Sequence, residues 1–211
     1  MPEILKADGG VSEETALSRA AEILAGGGVI AYPTETFYGL GADATNENAI
    51  RKIYDLKGRN FTNPISIIIA CKENLTPLVD EVPDCALKLI KTFWPGPLTV
   101  VFKASAQISP LLTAQTGKIG IRVSSNACAM AIARKLGGPL TATSANLTGA
   151  PECSTASEVI RQIGDKIDAV VDGGKTAGGL GSTLIDVTAA PPQILREGVI
   201  SSHLMNQYGI F

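Results

Sequence analysis

Val29-Ile30-Ala31-Tyr32-Pro33-Thr34-Glu35-Thr36-Phe37-Tyr38-Gly39-Leu40-Gly41 is the stretch on which the fold class turns. Its first four residues are apolar and too few for a helix, so they read as a buried strand. Pro33 halts it, because proline brings no N–H to a ladder. The polar run that follows then sits at the carboxyl end of a strand, the side on which open α/β sheets bind ligands. Thr34, Thr36 and Glu35 offer two hydroxyls and a carboxylate there, and Gly39 and Gly41 would let a ligand come close to the backbone. An ordinary polar loop fits the same residues equally well.

Upstream, Ser12 is placed to cap a helix, with Glu13 and Glu14 at its positive end and Leu17, Ala20, Ala21 and Leu24 at helical spacing. Gly26-Gly27-Gly28 stops it. Downstream, a helix is expected over 46–56, with Ile50, Ile53 and Tyr54 inward, and a β-branched strand over 65–70. A helix over 85–93 runs into the turn Trp94-Pro95-Gly96-Pro97. Strands over 98–103 and 119–123, a helix over 126–136 and a short strand near Leu140 follow. Thr155 and Glu158 have the spacing of a capping box and open a helix ending near Gly164. The last strands are read over 168–172, 183–187 and 193–196.

Helices and strands alternate, yet several strands follow one another directly. That pattern predicts an α/β fold with a twisted, open, mixed sheet and flanking helices, not a purely parallel doubly wound one. With no internal repeat or linker, residues 1–211 read as a single domain, its core over about 13–198 with a short C-terminal tail over 199–211.

Composition narrows the function. Hydrophobic residues make up 45% and charged residues 18% of 211, which argues against disorder. A net charge of −2 argues against a general nucleic-acid clamp, so any RNA contact has to come from a local patch. Cys71, Cys85, Cys128 and Cys153 lack the spacing of a zinc knuckle and read as isolated thiols. His203 is the one histidine, so Ser-His-Asp and Cys-His chemistry are improbable choices. Without a basic-then-apolar leader or a membrane-length apolar run, the chain is expected in the cytoplasm, with no membrane partner.

The residues able to carry chemistry fall after helices and strands. Lys57-Gly58-Arg59 can neutralise phosphates, Lys57 as a point charge and Arg59 as a bidentate fork, with Asn63-Pro64 close behind. As a basic helix end suited to the dipole they need no ligand at all. Arg122 lies inside the apolar run 119–123 and needs either an anionic ligand or a structural carboxylate partner. Thr141-Ala142-Thr143-Ser144-Ala145-Asn146 is a run of short polar side chains that could orient a nucleotide or simply turn the chain. Gly178-Gly179-Leu180-Gly181-Ser182-Thr183 is a glycine loop opening a strand, hence not a dinucleotide fingerprint, and there is no Walker A pattern. The shared profile is cations, hydroxyls and amides at element ends, without a histidine base or metal cage.

At the 33–41 segment, Lys57-x-Arg59, Ser144-x-Asn146 and Ser182-Thr183, in that order, the chain resembles the YrdC family, whose members are threonylcarbamoyl-AMP synthases. The resemblance runs from about Ala25 to Gly198. It implies a YrdC-like fold, related to the RibB-type fold, around a central positively charged cavity. It implies that Thr36, Arg122, Ala142 and Ser182 line a threonine site, with Arg122 on the carboxylate. Lys57, Arg59, Asn63, Ser144, Asn146 and Arg196 would surround ATP, and Lys57, Arg59, Ser144 and Asn146 would carry the catalysis.

The reaction so implied joins L-threonine, bicarbonate or CO2 and ATP into L-threonylcarbamoyl-AMP, releasing pyrophosphate. This is the first step of tRNA N6-threonylcarbamoyladenosine modification. Mg²⁺ would accompany ATP, with no tightly bound protein metal. Partners would be the tRNA threonylcarbamoyl-transfer proteins downstream and a weak contact with RNA. Ile68 stands where many relatives have histidine, and Lys118 and Glu152 stand where hydroxyl residues are frequent. Two alternatives share the residues: an RNA-binding or catalytically divergent YrdC-like paralog, and the carbamoyl-adenylating domain of hydrogenase-maturation carbamoyltransferases. The latter are long multidomain chains.

Overall fold

In the computed structural model, which describes residues 1–10, 12–58 and 62–209, the decisive stretch folds as a hairpin. β2 (Ile30–Pro33) pairs antiparallel with β3 (Tyr38–Gly41), Tyr32 opposite Gly39. Residues 38–41 are therefore strand, not loop. The turn is held by the Thr34 hydroxyl, which donates to the Phe37 carbonyl at 2.6 Å. The two glycines serve the fold as well. A Cβ on Gly39 would lie 2.9 Å from the Tyr32 ring, and one on Gly41 2.8 Å from it. Their missing side chains make room for a wholly buried tyrosine on the neighbouring strand, not for a ligand. Burial pushes the Tyr32 phenol up, and its hydroxyl donates to the Thr141 carbonyl at 2.9 Å.

The chain before β2 supplies β1 (Glu3–Lys6) and α1 (Glu13–Ala25), whose Leu17, Ala20, Ala21 and Leu24 are buried as their spacing predicts. After β3 come α2 (Glu47–Lys57), β4 (Ile67–Ile68), α3 (Asp84–Phe93), β5 (Leu98–Lys103), α4 (Pro110–Thr113) and β6 (Lys118–Arg122). Next are α5 (Ala127–Leu136), β7 (Leu140–Thr141), β8 (Thr143–Ser144) and α6 (Ala156–Ile163). The chain ends through β9 (Ala169–Asp172), β10 (Thr183–Asp186), β11 (Gln193–Arg196) and α7 (Ser202–Gln207). The 65–70 strand shrinks to two ladder residues, although its flanks stay tied: Ile65 N–H donates to the Leu112 carbonyl and Ile69 N–H to that of Arg122.

The expected single mixed sheet is two mixed sheets among the described residues, in the orders β1-β9-β2-β3-β8 and β11-β10-β5-β6-β4-β7. The split comes at one short segment. β7 pairs with β4 in the second sheet, and two residues later β8 pairs with β3 in the first. Thr141 fastens the crossing: its N–H donates to the Ala42 carbonyl, and its hydroxyl accepts from the Ala42 N–H at 2.8 Å. One continuous apolar core runs through both sheets and the helices on them. The 199–211 region is more than a tail, since Met205 of α7 is wholly buried and Tyr208 packs edge-on against Phe93. Among the described residues no helix is long and apolar enough to cross a membrane.

Candidate functional site

Alternation along strands decides which side chains share a face. Register places Arg122 beside Ile68, Gly120 beside Val101, and Leu184 beside both Thr99 and Arg196. One face of the second sheet thus carries Ser66, Thr99, Arg122, Ser182, Leu184 and Arg196, and all six line a cleft of about 210 Å³. Thr34, Thr36 and Phe37 of the β2–β3 turn wall it on another side, with Ala142, Thr143 and Ser144 at the sheet crossing. Gly120 keeps the floor low, because a Cβ there would lie 2.6 Å from the Ser66 hydroxyl and 3.1 Å from Thr99.

The cleft brings together Thr36, Arg122, Ala142 and Ser182, four residues that sequence motifs nominate from separate segments. Arg122 is buried, and its guanidinium meets Glu35 at 3.2 Å. A structural carboxylate partner is therefore present, as the bland reading of this residue anticipates. Ser182 is held by the Thr99 hydroxyl at 3.0 Å and by Arg196, whose guanidinium donates to the Ser182 carbonyl at 2.9 Å. A register shift between Leu184 and Ile185 lets the exposed edge strand β11 lay Arg196 over Ser182. The glycine loop before it is docked on the β2–β3 turn, Gly178 N–H donating to the Thr36 carbonyl at 2.8 Å.

Beside the cleft, the end of α2 builds a second constellation. Lys57 is only 3% exposed, which a helix-end lysine serving the dipole alone would not be. Its ammonium donates to the Ser144 carbonyl at 2.6 Å and to Asn146 Oδ1 at 3.1 Å, and the Ser144 hydroxyl donates to the same Oδ1 at 2.7 Å. Asn146 Nδ2 is anchored on the Ala150 carbonyl at 2.6 Å, and Thr148 ties back to the Lys57 carbonyl at 2.7 Å. Gly58 makes the tight turn possible with a left-handed φ of 59°.

Arg59 lies outside the described residues. Asn63 is exposed and is not among the cleft-lining residues; its carbonyl accepts from the Tyr54 hydroxyl, and Pro64 reaches the wall in its place. Lys118 is not among the cleft-lining residues and is paired with Asp186 at 2.8 Å. Burial alone would raise the Asp186 carboxyl, but hydrogen bonds from Lys118 and Thr188 outweigh it and hold the pKa below its usual value. Ile68 is wholly buried, and Glu152 is the carboxylate on the cleft wall. Among the described residues the lining thus carries two cations, Arg122 and Arg196, against one carboxylate, with Arg122 already matched by Glu35.

Ser66 and Thr99 line the cleft beyond the residues that the sequence motifs nominate. The available signal was a hydroxyl interrupting each apolar strand, on the same alternation phase as Arg122. Cys153, next to Glu152, is a wholly buried thiol that burial pushes up to about 11, and Cys128 is likewise buried and raised.

Comparison with known proteins adds to this geometry. A family model described as Telomere recombination (Sua5_yciO_yrdC) matches residues 22–198. The chain is 40% identical over 186 residues to the threonylcarbamoyl-AMP synthase of Pyrococcus abyssi, covering 88% of this chain and 55% of that one. It is 38% identical to the threonylcarbamoyl-AMP synthase of Photobacterium profundum, covering 86% of this chain and 98% of the relative. The crystal structure of P. abyssi Sua5 complexed with L-threonine superposes with a TM-score of 0.93 at 36% identity, covering 99% of this chain and 60% of that one. The chain thus spans about half the length of the Pyrococcus relative and of a Bacillus subtilis one, and nearly all of the Photobacterium one.

Proposed function

The chain belongs to the family that the Sua5_yciO_yrdC model describes, and from that premise we propose that it makes L-threonylcarbamoyl-AMP from L-threonine, bicarbonate or CO2 and ATP. The observation that carries the reading is the junction of two constellations. The cleft of Arg122, Thr36, Ala142 and Ser182 shares Ser144 with the buried Lys57–Ser144–Asn146 cluster. An anion grip and a phosphate-type cation with amide support therefore meet at one place. A relative that carries the synthase name, and another solved with L-threonine, support the choice of amino acid and reaction.

The reading assigns Arg122 to the threonine carboxylate by a bidentate grip, with Thr36, Ala142 and Ser182 shaping the pocket around the rest of the molecule. The threonine amine attacks CO2, a nitrogen–carbon bond forms and the amine loses a proton, giving a carbamate. A carbamate oxygen then attacks the α-phosphorus of ATP, and the bond to the β-phosphate breaks with pyrophosphate leaving. Lys57, Arg59, Ser144 and Asn146 stabilise charge on the phosphates, and Asn63 and Arg196 complete the nucleotide site. Positioning in a cleft sheltered from water suits an unstable carbamate better than a strong base does.

Mg²⁺ enters as part of the nucleotide substrate. The phosphates would supply most of its ligands. The protein works in the cytoplasm as a nucleotidyltransferase and hands its product to the tRNA threonylcarbamoyl-transfer proteins, with a weak contact with RNA. Pyrophosphate release from MgATP and bicarbonate tests the reading: it should require L-threonine. Release at the same rate without threonine would refute the reaction.

A further inference from the structure

Glu35 is the one polar residue of the β2–β3 turn that sequence places at the site and the cleft does not use. Thr34 and Thr36 on either side of it line the cleft, whereas Glu35 is not among its lining residues. Its carboxylate lies behind Arg122 instead: Oε1 meets the guanidinium Nη1 at 3.2 Å, with the two side chains 12% and 8% exposed. The other oxygen, Oε2, accepts from the Ser124 hydroxyl, and Ser124 is wholly buried. The Ser124 hydroxyl in turn accepts from the Asn126 N–H at 3.1 Å, and Asn126 caps the first turn of α5 through Ala129 N–H. A line of contacts therefore runs from a helix start, through Ser124 and Glu35, to the back of Arg122.

Arg122 Nε has no hydrogen-bond partner among the described residues, although it is buried. A guanidinium has five N–H donors in a fixed planar fork. Gripping it by Nη1 from behind fixes the plane and leaves donors for an anion in front. A freely rotating arginine would lose that bidentate geometry, and a buried cation without any partner would be costly in the empty protein.

We infer that Glu35 is a positioning residue for the amino-acid site, holding Arg122 so that its free edge receives the carboxylate of the substrate. The inference rests on the functional reading above. The function of Glu35 is position, set by its ion pair with Arg122 and by the hydrogen bond it accepts from Ser124. A glutamine keeps the side chain's reach to the Ser124 hydroxyl but loses the charge that pairs with Arg122, and Oε1 makes no hydrogen bond there to compensate. An alanine keeps neither.

Steady-state kinetics of the purified chain, with L-threonine, with L-threoninamide as competitor and with MgATP varied separately, decides the matter. Glu35→Ala should raise KM for L-threonine about ten-fold or more, the range seen when an orienting outer partner is lost. KM for MgATP and kcat should stay within about three-fold, and the preference for threonine over its carboxamide should collapse. Glu35→Gln should give a KM for threonine between those of the alanine variant and wild type, because it keeps the reach to Ser124 and loses the ion pair with Arg122. Equal changes in both KM values, an intact preference over threoninamide, or a glutamine variant as impaired as alanine overturns the inference. Where the alanine variant does not fold, Ser124→Ala removes the outer anchor: a reduced preference over threoninamide supports the role and an unchanged one overturns it. A wild-type protein lacking threonine-dependent turnover contradicts the functional reading first, and this inference with it.

Discussion

Lys57 ends a helix that would form without it, and its side chain is almost wholly buried against Ser144 and Asn146, 87 and 89 residues away. Burying an ammonium costs stability unless it is well hydrogen-bonded, so its place beside a cleft points to use. Lys57→Met, which retains much of the apolar stem, should cut kcat by about a hundred-fold or more, as loss of a charge-stabilising donor does. Affinity for L-threonine should stay within a few-fold in calorimetry, because Arg122 is untouched. A variant with near-normal kcat would remove Lys57 from the phosphate site. Gly39 makes a different prediction at the same scale. Its substitution by alanine sets a Cβ 2.9 Å from the Tyr32 ring, so Gly39→Ala should lower stability by about 1–3 kcal/mol, the cost of overpacking. Chemical denaturation of the variant gives this value directly, and no loss would mean that the Tyr32 ring is free to move.

At the scale of elements, α6 shows how closely local sequence can write local structure. The Thr155 hydroxyl accepts from Glu158 N–H, and the Glu158 carboxylate accepts from the N–H groups of Ser154 and Thr155, as the spacing of the two residues predicts. Thr155→Ala should cost about 1 kcal/mol in thermal or denaturant unfolding. The Ser154 N–H, followed by the Ser154 hydroxyl and the Thr155 contacts, holds the Glu158 carboxyl below its usual range despite some desolvation. A carboxylate lowered in the folded state stabilises above its unfolded pKa of about 4.3, and that contribution disappears as pH falls through the folded value. Glu158→Gln should therefore flatten the acid limb of the stability profile below about pH 4.3 and leave its shape near neutrality unchanged. An acid limb identical to wild type would contradict the capping account.

Other elements were legible only in part, and the reasons are physical. α2 and α5 announce themselves through periodicity and end signals that act within one turn, whereas Ser12 makes no capping hydrogen bond and α1 rests on its periodicity. β1 does not, because four residues with one buried leucine become a strand only by lying parallel to β9, Glu3 opposite Ala169. The β-branched run at 65–70 reads as a strand, but only Ile67 and Ile68 find ladder partners on β6 and β7. Gly39 and Gly41 were visible as positions needing a bare Cα. Sequence could not say whether a ligand or a tyrosine ring on the next strand required it. Similarly, Thr36, Arg122, Ala142 and Ser182 could be nominated one by one, while their meeting in one cleft depends on a register that joins distant segments.

For the whole molecule, the sheet crossing at 140–144 is the organising feature. It divides the expected single sheet into two, and it sets Ala142 and Ser144 at the seam, where the face carrying Arg122 meets the end of α2 carrying Lys57. The amino-acid side and the nucleotide side of the proposed reaction are thus two sides of one strand crossing. Coupling the two substrates through a carbamate is the central claim, and carbon-13 bicarbonate tests it most directly. Incubating the purified chain with MgATP, L-threonine and carbon-13 bicarbonate should give a nucleotide with the mass of threonylcarbamoyl-AMP carrying one heavy carbon, as read by mass spectrometry. Its absence when threonine is omitted completes the prediction. A product with no heavy carbon, or AMP formed without any threonine adduct, would contradict it.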